Sequence, residues 1–372
     1  MTLRDVAEAA GVTSITVSRY LRDPAVVAAA TAKRIREALA ATGYLPNKQA
    51  GLLASGRSNI VAALLPNLAN SIFAETAQGL SDTLQAAGHE LLIASTGYSL
   101  EREEEQLRAL LGWHPAAVVV TGRRHSATAL ALLAAARRNG TPVIEIWDWH
   151  PGGDPQPARA ERFAQVGFNH EEVGRAMAEH LLAAGHRRLA YVDSGVAEDY
   201  RAHERGTAFA ATVRRAGATV DVLVAPPGDP FNAGREVLGQ LLAPEATSPA
   251  AHRTSVSQST NTKGRTASTG RGKATPQFTA AAFANDHLAS GALLEAARRR
   301  VDVPGRLALL GFGDFAWSRQ LDPPLSSVAL PRYEIGVTAA RVLLDALSGR
   351  RAAAPHALAW TLVARASTAL ST

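Results

Sequence analysis

A short polar segment near the N-terminus carries side chains that suit contact with nucleic acid. Within the stretch GVTSITVSRYLRDP, the candidate contact residues are small and polar apart from one isoleucine and one arginine: Thr13, Ser14, Ile15, Thr16, Ser18 and Arg19. Ser14, Ile15 and Arg19 could meet donors, acceptors and thymine methyl groups at base edges in a major groove. Thr16 and Ser18, together with a helix N-terminus, suit phosphate oxygens.

These side chains need a helix with one face on a core and the other in solvent. Thr13 is a natural N-cap, so we expect the helix to begin at Ser14. Val17 and Leu21 lie four residues apart and would face the core. A preceding helix should end at Gly11, which leaves a turn of about three residues. This is the helix-turn-helix arrangement.

Two further helices complete the predicted N-terminal unit. Thr2 and Asp5 approximate a capping box for the first helix. We expect Thr31 to cap the third helix and Gly43 to end it. Three short helices with a polar second helix predict a DNA-binding unit.

The charge distribution points to the same end of the chain. The net charge is +6, and residues 1–58 carry eight basic and four acidic side chains. Residues 251–275 carry five basic side chains and no acidic one, so the rest of the chain is net acidic. Contact with nucleic acid therefore belongs to the N-terminal unit, or to a nonspecific basic arm in the second segment.

Composition and missing motifs exclude several classes of protein. The chain of 372 residues has no cysteine, which excludes disulfide frameworks, thiolate zinc sites and cysteine nucleophiles. The GxxxxGK[ST], GxSxG and HExxH patterns of common enzymes do not occur. Neither a membrane-spanning apolar run nor the apolar core of a secretory signal is visible. We expect a cytoplasmic protein that is not an enzyme, has no cofactor or metal, and does not associate with a membrane.

From about Ser58 onward, apolar strands alternate with amphipathic helices. This pattern predicts an α/β fold with two doubly wound lobes, whose ligands lie at the carboxyl ends of the strands. The Ser- and Thr-rich residues 245–276 should be a disordered surface insert. The expected divisions are a helix-turn-helix domain at 1–46, a hinge at 47–58, a first lobe at about 59–160 plus 325–348, and a second lobe at about 161–320 plus 350–372.

The stretch LRDVAEAAGVTSITVSRYLRDP resembles the lactose-repressor family of bacterial transcription regulators. Downstream, AAGHRRLAYV, FANDHLASGALLEA and VPGRLALLGFGD are similar to the two-lobed, periplasmic-binding-protein-like core of that family. TVSRYLRDP and LLPNLANSIFAE resemble its gluconate-utilisation repressor branch. The resemblance implies that Ser14 and Ile15 read variable bases and that Arg19 reads a guanine.

The segment NKQAGLLAS matches the family's hinge. The resemblance implies a helix that forms on operator DNA and inserts Leu53 into the minor groove, with further contacts from Asn47, Ala50 and Ala54. Gly51 disfavours a helix by about 1 kcal/mol relative to alanine, so a short isolated hinge should be coil until DNA orders it. A flexible linker is the alternative reading.

The resemblance also implies an effector site, with candidate residues Asn70, Phe73, Asp148, Arg201, Arg205, Phe231 and Asp286. Arg201 and Arg205 suggest a carboxylate or phosphate on the ligand, because a guanidinium can grip either with two hydrogen bonds. Asp286 could instead cap the following helix. Glu145, Trp147 and Asp148 compete for the acidic position after the strand PVIEI.

The sequence thus predicts a homodimeric repressor that reads a palindromic operator and responds to a sugar acid, such as gluconate, or to its phosphate. A regulator of the same family that responds to a neutral sugar or a nucleobase is the alternative. A sugar-binding transport protein shares the two-lobed core, but it would have a signal peptide and no helix-turn-helix.

Overall fold

The N-terminal unit consists of three helices whose ends are set largely by capping. The computed structural model describes residues 1–45, 58–68, 72–150, 163–243, 277–350 and 356–369. The first three helices are α1 (Leu3–Ala10), α2 (Ser14–Arg22) and α3 (Ala29–Thr42). Thr2 and Asp5 form the expected capping box. Gly11 and Gly43 adopt positive φ angles of 61° where α1 and α3 end, a conformation that glycine tolerates best.

The third helix begins earlier than the sequence suggested. Its N-cap position is Ala28, which makes no side-chain capping hydrogen bond, so the expectation that Thr31 caps the helix is wrong. The backbone at Ala28 is extended, with φ −54° and ψ 139°, and the helix follows at once. Alanine has the highest helix propensity, which lets the run of alanines enter the helix without a polar cap.

Two six-stranded sheets with flanking helices form the rest of the described chain and confirm the predicted pair of doubly wound lobes. The first sheet has the strand order β11-β5-β4-β3-β1-β2, and the second has β12-β10-β9-β8-β6-β7. The strands are β1 (Ile60–Leu65), β2 (Glu90–Ser95), β3 (Ala117–Thr121), β4 (Val143–Ile146), β5 (Ala164–Gly167), β6 (Arg188–Asp193), β7 (Thr219–Val224), β8 (Ala280–Phe283), β9 (Ala308–Gly313), β10 (Ser326–Ala329), β11 (His356–Ala357) and β12 (Thr361–Val363). All described pairings are parallel except β10 with β12.

The flanking helices are α4 (Ala74–Ala86), α5 (Leu100–Leu111), α6 (Ala127–Arg138), α7 (His170–Ala183), α8 (Tyr200–Arg215), α9 (Pro230–Leu242), α10 (Asp286–Arg298) and α11 (Arg332–Leu347). The central strands β1, β3 and β9 are buried on both faces, as their continuous apolar sequences require. In the described part of the chain, no helix combines the length and the apolar character needed to cross a membrane.

The strands do not divide between the lobes at the expected boundaries. β5 pairs with β4 in the first sheet, although the sequence placed it in the second lobe. β10 pairs with β9 in the second sheet, although it was expected in the first lobe, and β11 returns to pair with β5. Periodicity identifies a strand without specifying the sheet that supplies its neighbours, so these boundaries were displaced by one strand. The expected insert at 245–276 lies outside the described residues.

Helix α11 packs against α4 of the first lobe across a contact that requires glycine. A Cβ atom added to Gly79 would lie 2.3 Å from the carbonyl oxygen of Tyr333, and one added to Gly336 would lie 2.1 Å from that of Thr76. Since side chains at either glycine would force the backbones apart, the two helices can approach this closely only without them.

Candidate functional site

Helix α2 presents a polar face to solvent while its other face is held in the core of the N-terminal unit. Val17 is fully buried and Tyr20 is 8% exposed. The hydroxyl oxygen of Thr13 accepts a hydrogen bond from the Thr16 amide at 3.3 Å, which confirms the predicted N-cap. Ile15 is 67% exposed, so its apolar side chain is available for contact with a groove, for example with a thymine methyl group.

The remaining predicted contact residues share that exposed side of the unit. Arg19 is exposed, and Ser14 and Ser18 are half-buried. This face is free to enter a groove, since the described residues of the unit bury their apolar side chains on the opposite side. The predicted hinge contacts Asn47, Ala50, Leu53 and Ala54 lie outside the described residues, as does Asn70.

A cavity of about 280 Å³ lies between the two lobes at the carboxyl ends of their strands. Residues of both lobes line it, and most of them carry an aromatic ring or a polar group: Asn67, Phe73, Tyr98, Trp147, His170, Ser194, Asp199, Arg201, Arg205, Asn285 and Phe312. The predicted residues Phe73, Arg201 and Arg205 are therefore brought together. The position matches the crevice in which doubly wound sheets bind ligands.

Arg205 is a buried cation, and none of the carboxylates in the described ranges forms an ion pair with it. It is 4% exposed, and its guanidinium lies 3.8 Å from the ring centroid of Phe312. It donates hydrogen bonds to His170 Nδ1 and to the Ala284 carbonyl oxygen, both at 2.9 Å. Its Nε atom has no partner among these residues. A buried positive charge without a directly ion-paired carboxylate favours an anionic ligand.

The partner of Arg205 is a neutral histidine. A guanidinium has only donors, so His170 Nδ1 accepts, and His170 Nε2 then donates to the Trp147 carbonyl oxygen at 2.9 Å. Burial, reinforced by the nearby Arg205 charge, holds the pKa of His170 well below its ordinary value. The histidine therefore orients Arg205 without adding charge to the cavity.

Arg201 joins a buried network that spans the two lobes. Its Nη1 atom lies 3.9 Å from Asp148 Oδ2, and the Tyr200 hydroxyl donates a very short hydrogen bond to the same carboxylate. Arg123, from the loop after β3, pairs with Asp148 at 3.1 Å and with Glu204 on α8 at 2.7 Å. Burial raises the pKa of Asp148 to about 6, although Arg201 and Arg123 oppose the shift.

A second buried charge cluster anchors the loop that carries Arg123. His125 Nδ1 donates to Glu103 on α5 at 2.7 Å, and its Nε2 lies 3.6 Å from Glu145 on β4. Gln165 on β5 donates to the other oxygen of Glu145 at 2.9 Å. Although burial opposes the charged form, the two carboxylates raise the pKa of His125 to about 9. The imidazolium therefore ties helix α5 to the centre of the first sheet.

Two aromatic residues of the cavity have backbone conformations that are rare outside glycine. Tyr98 has φ 65° and Trp147 has φ 71°. Trp147 is 2% exposed and contacts Phe73 edge to face, with 5.1 Å between ring centroids. Such left-handed conformations in bulky residues cost energy, and they concentrate at ligand-binding sites.

Three predicted effector residues lie near the cavity without lining it. Asp148 is enclosed by the inter-lobe network. Phe231 packs against His287 and Trp317. Asp286 accepts hydrogen bonds from Ser318, Ser327 and the Phe315 amide, and burial raises the pKa of its carboxyl.

The alternative role of Asp286 as a helix cap is also not observed. Asn285 is the N-cap of α10, and its side chain accepts from the Leu288 amide at 3.0 Å. Asn285 is also the residue of this pair that borders the cavity.

Of the cavity residues named above, seven were not predicted from the sequence: Asn67, Tyr98, His170, Ser194, Asp199, Asn285 and Phe312. His170 begins α7, and two residues separate it from β5, so it lies at the carboxyl end of a strand. The sequence pattern did not identify β5, so this position could not be recognised in advance. Of the three residues competing for the position after β4, Trp147 lines the cavity, whereas Glu145 and Asp148 are buried in the two charge clusters.

Comparison with known proteins decides the family. The model of bacterial regulatory proteins of the lacI family matches residues 2–47, and a periplasmic binding protein-like domain matches residues 178–368. The HTH-type transcriptional regulator GntR of Pseudomonas aeruginosa is 36% identical over 352 residues, which cover 94% of this chain and 90% of the relative. The chain belongs to the lacI family.

Other members of the lacI family agree in sequence and in structure. The regulator GntR of Escherichia coli K12 is 29% identical over 93% of the chain and 92% of its own length. A lacI family regulator from Silicibacter pomeroyi is 32% identical, with a TM-score of 0.80 and 99% coverage of both chains. This lacI-family protein is accordingly a DNA-binding transcriptional regulator, and its homologues are regulators rather than enzymes.

Proposed function

We propose that this regulator is a repressor whose effector is a small sugar acid, such as gluconate, or the phosphate of one. The observation that carries the proposal is the buried guanidinium of Arg205 at the wall of the inter-lobe cavity, which is hydrogen-bonded to neutral groups and forms no ion pair with a carboxylate of the described residues. Enclosing such a charge costs free energy unless the ligand supplies the missing negative charge. A carboxylate or phosphate would do so with charge-assisted hydrogen bonds.

The rest of the cavity suits a polyhydroxylated ligand. Ser194, Asp199 and Asn285 provide donors and acceptors for hydroxyl groups, and Phe73 and Trp147 provide apolar faces. A few polar groups on an aromatic wall are the usual composition of a small-molecule site. The resemblance of the N-terminal sequence to the gluconate-utilisation branch supports the same ligand class.

We further propose that two copies of the chain read a palindromic operator. Ser14, Ile15 and Arg19 would contact base edges, with Thr13, Thr16 and Ser18 at phosphates and the hinge residue Leu53 in the minor groove. A solved structure with a TM-score of 0.76 and 21% identity, which supports the fold, is titled as a lac repressor dimer bound to operator.

The outer strand of the second sheet supports the dimer. Val222 and Val224 on β7 are 47% and 65% exposed, and among the described strands β7 is the edge strand of its sheet. A second copy of the chain would cover them. Val224→Glu should shift the protein toward monomer in analytical ultracentrifugation and weaken operator binding. A dimer that survives the substitution unchanged would place the interface elsewhere.

Effector and operator binding would be coupled through movement of the lobes, and the coupling would be reciprocal. The direct test measures operator affinity by fluorescence anisotropy with and without saturating gluconate or phosphogluconate. A change in affinity with either acid supports the proposal. If only neutral sugars or nucleobases change it, the acidic effector is wrong, while the regulator remains. Leu53→Ala should weaken operator binding and leave effector affinity intact.

A further inference from the structure

A second cavity of about 280 Å³ lies beside the first, toward the ends of β1, β2 and β3. Its lining comes from both lobes and mixes polar with apolar residues: Pro66, Thr96, Tyr98, Ser99, Leu100, Glu103, Thr121, Arg124, Ala197, Glu198, Tyr200 and Arg201. Tyr98 and Arg201 line both cavities. The two spaces are therefore separated by a wall made of these side chains.

Tyr98 is the part of the wall that forms none of the ion pairs of the charge network, although its hydroxyl interacts with Arg201. It lies in the short loop between β2 and α5, whereas Arg201 is held on α8 against Asp148. The residue has φ 65°, a conformation that a tyrosine rarely adopts. Backbone strain at a ligand cavity is maintained when it places a side chain where function needs it. Here it places an aromatic ring at the boundary of the two cavities.

The sizes of the cavities indicate what the wall does. Each alone is slightly below the range of about 300–1,000 Å³ found for small-molecule sites, and together they lie well within it. One cavity suits a single sugar unit. The second is bordered by Glu198, by Glu103, whose Oε2 has no partner among the described residues while Oε1 pairs with His125, and by Arg124, which also pairs with Glu204; carboxylates and guanidinium groups can bind sugar hydroxyls.

We propose that Tyr98 sets the length of the effector, confining it to a single sugar acid and excluding acids that carry a second sugar ring. The inference rests on the proposed function, because it takes the first cavity to be the site of a sugar acid. Without the Tyr98 ring, the second cavity becomes the subsite for the added ring.

The test compares gluconate with lactobionate, which is gluconate bearing a galactosyl group, by isothermal titration calorimetry on the full-length protein. Tyr98→Gly removes the ring and tolerates the positive φ, so the loop should keep its course. Tyr98→Phe keeps the ring and serves as the matched control. Ala197→Trp, added to Tyr98→Gly, refills the second cavity from an exposed position that does not line the first.

We expect the wild type and Tyr98→Phe to bind gluconate and to reject lactobionate. Tyr98→Gly should gain affinity for lactobionate by about tenfold or more, a typical effect of opening a specificity pocket. The added Ala197→Trp should remove that gain while gluconate still binds.

Three outcomes would overturn the inference. If the wild type bound lactobionate as tightly as gluconate, Tyr98 would not be a barrier. If Tyr98→Gly bound gluconate but gained no affinity for lactobionate, the second cavity would not be a subsite. If the wild type bound neither gluconate nor phosphogluconate, the proposed effector class would fail first, and the length limit with it.

Discussion

The DNA-reading helix and the inter-lobe cavity recognise their ligands in opposite ways. Helix α2 exposes its contact side chains and fixes them through the capping residue Thr13 and the buried Val17, all within one short segment. The cavity buries Arg205 against His170 and Phe312, which come from distant parts of the chain. A surface site of this kind depends on local sequence, whereas a buried site depends on topology.

The largest expected effect is a loss of effector affinity at the buried site. Arg205→Ala should weaken binding of an acidic effector by about 2–5 kcal/mol, which is roughly thirtyfold or more, because the anion loses its buried partner. Titration calorimetry with the acid identified in the operator assay measures the loss. Arg215→Ala, an exposed arginine on the same helix, is the control. Equal affinities in both variants would remove Arg205 from the site.

The charge cluster behind the cavity makes stability depend on pH. Because the folded-state pKa of His125 is raised to about 9, its stabilising contribution is complete below about pH 6.5 and is lost as the pH rises through 9. The loss is about 1.4 kcal/mol for each pH unit crossed between these values. Thermal unfolding at pH 6.5 and 9.5 should show a decrease that His125→Gln reduces.

His114→Gln is the control for this measurement, because His114 is an exposed residue of the same lobe. Its profile should follow the wild type. If His125→Gln lost as much thermal stability between pH 6.5 and 9.5 as the wild type, the pH dependence would belong to other groups.

At the exposed DNA-reading helix, Arg19→Ala should weaken operator binding by about 1–3 kcal/mol, through the loss of a contact with one base pair. The arginine is proposed to read a guanine, so the loss should depend on the base at that position. Binding to a panel of singly substituted operators measures it. A uniform loss across the panel, with a smaller salt dependence, would place Arg19 on a phosphate.

The smallest effect concerns the caps of the N-terminal unit. Thr13→Ala should destabilise this unit by about 1 kcal/mol, since the side chain bonds the Thr16 amide at the start of α2. Thr31→Ala should have almost no effect, because Thr31 is not the cap of α3. Hydrogen exchange of the helix amides in the full chain distinguishes the two. Equal destabilisation would return a capping role to Thr31.

Most features that depend on neighbouring residues were predictable from the sequence, apart from the start of α3, whereas the assignment of strands to the two sheets was not. Gly11, Thr13 and the polar face of α2 were identified because a cap, a turn and a helical period are local patterns. Arg201 and Arg205 were identified from the family resemblance, together with the ability of a guanidinium to bind a carboxylate or phosphate. His170 was missed, and Asp286 was given a capping role that belongs to Asn285.

The return of the chain to the first lobe has a consequence for biosynthesis. Helix α11 packs on α4, and β11 pairs with β5, so the first lobe uses residues from both ends of the core. A ribosome releases the N-terminal part first, and domains that are continuous in sequence can fold as they emerge. This lobe must wait for α11 and β11, so its exposed α4 and β5 surfaces need protection until those residues have been synthesised.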